Sequence, residues 1–90
     1  MPSYKYEPYY EYSGPTRADP FRELLSYEEV QRNREWFFAH IDGCFAGTDA
    51  VVAIADGIVS IETNMPEADC DDIVKRHLNA FDLFARKIRA

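Results

Sequence analysis

The sequence predicts an α+β domain in the order helix, β-hairpin, helix, preceded by an extended N-terminal arm rich in tyrosine and proline. Three observations carry that reading. Asp56-Gly57 separates two aliphatic runs by two residues, the strongest local signal for a hairpin. Ser26-Tyr27-Glu28-Glu29 has the pattern of a capping box that opens a helix. Residues 66–89 pass from acidic to basic along an apolar stripe, as a helix in accord with its own dipole requires. The division that follows is an arm over residues 1–20 and a single small domain over 21–90.

The arm sets Tyr4, Tyr6, Tyr9, Tyr10 and Tyr12 among Pro2, Pro8, Pro15 and Pro20. Proline lacks the main-chain donor that a helix or sheet ladder uses, so neither a helix nor a central strand is expected to propagate there. Tyrosine offers a large rigid contact area with a polar tip, and it is enriched at interfaces. The five tyrosines are therefore the candidate partner-binding residues. The same rings could instead pack on their own domain.

Asp19 and Pro20 suit the cap and first position of a short helical turn over Phe21 to Leu25. The main helix is expected from the capping box at Ser26 to Asp42-Gly43 or Gly47, with Val30, Phe37, Phe38 and Ile41 inward. Trp36, beside the two phenylalanines, is assigned to the core. In the hairpin, Ile54 should face Val59 and Val52 should face Ile61 on one side, with Ala53, Ala55, Ser60 and Glu62 on the other. An alternative remains in phase with the apolar residues: an all-α helical hairpin whose first helix runs over residues 27–62. Its interior glycines would cost about 1 kcal/mol each relative to alanine.

The last helix is expected to begin with Pro66 and to carry Ile73, Val74, Leu78, Phe81, Phe84, Ala85 and Ile88 as one stripe, with Arg86, Lys87 and Arg89 at its negative end.

Composition narrows the function. A net charge of −6 disfavours nucleic acid, whose phosphates need a basic face. No apolar run approaches the roughly 18 residues that span a bilayer, so no membrane partner is expected. The first residues lack the basic-then-apolar pattern of a secretory signal, which points to the cytoplasm. Cys44 and Cys70 are read as reduced, buried thiols. A zinc site built from His40, Cys44, Cys70 and His77 is disfavoured, since seven helical residues separate the last two by about 10 Å. Glu28, Glu35, Asp42, Asp49 and Asp56 recur every seven residues, which a solvated face explains.

No motif supplies a phosphate loop, a nucleophile elbow or a metal-ligand set, so no catalytic residue, metal or cofactor is expected, and an enzyme is the less favoured class. The leading expectation is a non-enzymatic protein–protein interaction module, an accessory or adaptor subunit of a larger assembly, docking through its tyrosines and forming a homo-oligomer, most simply a homodimer. Two others stand beside it. One is a small ligand- or metal-binding protein with a pocket between the helices at Trp36, His40 and His77. The other is an acidic inhibitor that occupies a nucleic-acid or basic protein site.

Overall fold

Asp56 and Gly57 both take positive φ, 55° and 75°, the pair of values that a type I′ hairpin turn demands. The strands they join are β2 (Val51–Ala55) and β3 (Ile58–Glu62), with Ile54 opposite Val59 and Val52 opposite Ile61. In this computed structural model, which describes residues 2–12, 21 and 23–88, the hairpin is half of a four-stranded antiparallel sheet. The other strands are β1 (Ser3–Tyr9) and β4 (Phe84–Ile88), and the helices are α1 (Tyr27–Cys44) and α2 (Glu67–Ala80).

The element order is therefore β-α-β-β-α-β, not helix, hairpin, helix, and the sheet order is β2-β3-β1-β4. This is the split β-α-β connectivity called ferredoxin-like. It corrects the expected fold at both ends of the chain. The continuous helix over 27–62 is absent as well, because α1 ends at Cys44.

At the N-terminus the tyrosine segment is no arm. Ser3–Tyr9 lies between β3 and β4, pairing Tyr6 with Val59 on one side and with Lys87 on the other. The β1–β3 ladder stops at Tyr6, so Pro8 has a strand only on the β4 side, opposite Ala85. A residue without an N–H is tolerated at such a sheet margin. Period-two burial supplies what propensity withheld: Tyr6 and Pro8 are buried, whereas Lys5 is exposed.

At the other end α2 stops at Ala80. Asp82 takes φ 56°, and the N–H groups of Phe81 and Leu83 both donate to the carbonyl of Leu78 at 3.0 Å. Asparagine, phenylalanine and aspartate at 79, 81 and 82 are weak helix formers, and β1 offers a full ladder to whatever follows. Residues 84–88 accordingly leave the helical stripe and become a strand.

The first helix does begin at the capping box: Ser26 Oγ accepts from Glu29 N–H, and Glu29 Oε1 accepts from Ser26 N–H. The turn proposed at Asp19 and Pro20 lies outside the described residues. Both helices cover one side of the sheet. Val30, Phe37 and Ile41 from α1 meet Cys70, Val74 and Leu78 from α2 over Tyr6, Val59, Ile61 and Leu83. Trp36 is not core: it is 48% exposed, with its ring against Phe81 at 6.4 Å. Among the described residues, no helix is long and apolar enough to cross a membrane.

Candidate interaction surface

With both helices on one side, the second side of the sheet has no covering layer among the described residues. Strand alternation assigns its residues: Val51, Ala53 and Ala55 on β2, Ile58, Ser60 and Glu62 on β3, Ser3, Lys5, Glu7 and Tyr9 on β1, and Phe84, Arg86 and Ile88 on β4. Val51 is 56% exposed, Phe84 50% and Ile88 38%. At the β1–β4 end, the Tyr9 and Phe84 rings lie 5.9 Å apart. The Arg86 guanidinium sits 4.8 Å from the Tyr9 centroid and 3.9 Å from Glu7. Lys5 and Arg86 balance Glu7 and Glu62, so this side is neutral within a chain of net charge −6.

The covered side carries the polar cluster with the most perturbed groups. Tyr6 Oη donates to Asp71 Oδ1 at 2.5 Å and contacts Cys70 Sγ at 3.5 Å. Lys87 donates to Asp71 Oδ2 at 2.9 Å and also to Glu67. Burial, then the bonds to Asp71 and Cys70, drive the Tyr6 hydroxyl far above its ordinary range. Burial likewise raises the Cys70 thiol. Hydrogen bonds to Glu67 and Asp71 raise Lys87. Each shift moves its group further from ionisation change near neutral pH. A thiol held protonated is a poor nucleophile, and the cluster serves as a clamp that ties β1 and β4 to the first turn of α2.

His77 sits between the rings of Phe37 and Phe81, at 4.9 and 5.1 Å, with Nε2 3.1 Å from the Phe37 carbonyl. Burial lowers its basicity. The space proposed for a ligand between the helices is thus occupied by Phe37 and Phe81, while His40 is exposed and Trp36 half-exposed. Among the described residues, no three His, Cys, Asp or Glu side chains are grouped to hold a metal ion. Cys70 is buried as expected, but Cys44 is exposed.

No family model, characterised protein or solved structure matches this chain. Its surfaces are the remaining guide to function.

The structure sets the five tyrosines in different environments. Tyr6 and Tyr10 are 3% and 7% exposed and belong to the core, and Tyr4 packs against it. Tyr10 Oη also accepts from Leu25 N–H at 3.0 Å. Only Tyr9, on the uncovered side of the sheet, and Tyr12, 51% exposed, present surface that a partner could cover. The residues that sequence reasoning missed are Phe84, Arg86 and Ile88. Their alternation with Ala85 and Lys87 is a strand signal, but the same apolar positions continue the helical stripe of α2 and were absorbed into it.

Proposed function

We propose that this chain is a non-enzymatic protein-interaction module that serves as a subunit of a larger assembly and docks through the uncovered side of its sheet. The observation that supports it is the row of half-buried Tyr9 with exposed Phe84 and Ile88, set among compensating charges on the side of the sheet that α1 and α2 leave uncovered. Rigid aromatic anchors surrounded by polar residues are the composition of a binding hot spot. The occupant is a protein surface with an apolar centre and alternating charge. Nucleic acid fits poorly, because Lys5 and Arg86 are already balanced and the rest of the chain is acidic.

The test is paired capture from a native lysate with the wild-type chain and with Phe84→Glu/Ile88→Glu. The wild type should retain a stoichiometric protein that the double variant loses, with the circular dichroism of the two chains superimposable. Equal retention by both chains would remove the reading.

A further inference from the structure

We infer that the free edge of β2 is a self-association site, at which a second copy of this chain adds its own β2 antiparallel, centred on Ala53, to make a continuous eight-stranded sheet. This concerns the sheet's edge rather than its uncovered side, and it stands without the docking reading above.

The argument begins with main-chain groups. A two-residue turn makes Ala55 and Ile58 a hydrogen-bonded pair, and alternation makes Ala53–Ser60 and Val51–Glu62 the next two. The N–H and C=O groups of Val52 and Ile54 therefore point away from β3, and β2 is an outer strand of the sheet. Edge strands are ordinarily guarded by a lysine, a proline, a bulge or an inward charge. Val51-Val52-Ala53-Ile54-Ala55 has none of these, and Val51 and Ile54 are 56% and 46% exposed. In a chain of net charge −6 this edge is an uncharged approach for a like-charged copy.

Self-pairing suits the strand better than an arbitrary partner does. A two-fold axis at Ala53 sets Val52 against Ile54 of the second copy and Ile54 against its Val52, so that all four outward-pointing groups pair. On the uncovered side, the same axis matches large with small, Val51 against Ala55, about the Ala53 pair.

The test uses the full chain with Cys44, the exposed thiol, changed to Ser. Sedimentation equilibrium from micromolar to millimolar concentration should show a reversible dimer that Ile54→Lys abolishes. In this background Ala53→Cys should form a reducible covalent dimer at least roughly tenfold faster than Val51→Cys. Ala53 and its mate form a non-hydrogen-bonded pair with Cα atoms about 4.5 Å apart, within disulfide reach, whereas the two Val51 residues lie about 13 Å apart along the strands. A monomer throughout overturns the proposal. So does a dimer in which the two cysteine positions cross-link at equal rates, or one that survives Ile54→Lys. Phe84→Glu/Ile88→Glu should leave the dimer intact, which separates this result from the fate of the docking surface.

Discussion

Gly57 concentrates more constraint than any other residue of the hairpin. Its φ of 75° lies in the left-handed region, and an added Cβ would meet Arg34 Nη2 at 3.1 Å. A side chain in that backbone region costs roughly 1–2 kcal/mol. Gly57→Ala should therefore lose about that much in urea denaturation, whereas Asp56, whose short polar side chain tolerates the same region, should accept Asn with little change. Equal stability of Gly57→Ala and wild type would mean that the turn is not of this type. Asp49 is a second residue-level fixture. Its carboxylate accepts from Thr63 Oγ1 at 2.5 Å and from Asn64 N–H at 3.0 Å, and these bonds hold it below the usual carboxylate range. Thr63 is fully buried, so its hydroxyl needs such a partner. The seven-residue recurrence of acids that a long helix would have aligned is thereby broken into a loop acceptor at Asp49 and a turn residue at Asp56.

Among the elements, α1 is the one whose start is most locally encoded. Ser26 and Glu29 satisfy each other's amides, and Val30 N–H continues the ladder to the Ser26 carbonyl at 3.0 Å. Ser26→Ala should cost about 1 kcal/mol and lower Tm by about 4–8 °C for a domain of this size. A calorimetric scan of the two chains measures it directly, and an unchanged Tm would show that packing of Phe37 and Ile41 alone sets the helix. The elements at the two ends behave differently. Ser3–Tyr9 and Phe84–Ile88 have weak or misleading local signals, a proline in the first and a continued helical stripe in the second. Each becomes a strand because the other is there to pair with it. Removing residues 1–20 would thus withdraw an inner strand of the sheet, not detach an accessory arm.

At the scale of the molecule, the core is one layer of side chains between two helices and one side of the sheet, and His77 titrates within it. Burial depresses its pKa below the ordinary histidine value near 6.5. The unfolded chain then binds a proton at a higher pH than the folded one. The stability His77 contributes is complete above about pH 6.5 and is lost as pH falls from there toward its folded value. Urea midpoints should decline between pH 7 and pH 5 in the wild type and decline less in His77→Gln. Parallel profiles would place the titrating group elsewhere. Tyr6, Cys70 and Lys87 of the polar clamp do not compete in that window, since each is shifted upward from a value already above neutrality.

What is local could be read from the sequence: the Asp56-Gly57 turn and the register it sets, the capping box at Ser26 and the apolar face of α1. Each rests on residues within a few positions of one another. Only long-range packing settled the two terminal strands β1 and β4, the burial of Tyr6 and Tyr10, the exposure of Trp36 and Cys44, the edge position of β2 and the side of the sheet that α1 and α2 leave uncovered. The partners there are some 80 residues apart, as with Lys5 and Ile88. A strand that is stable only when another strand lies beside it leaves no short-range mark by which to read it.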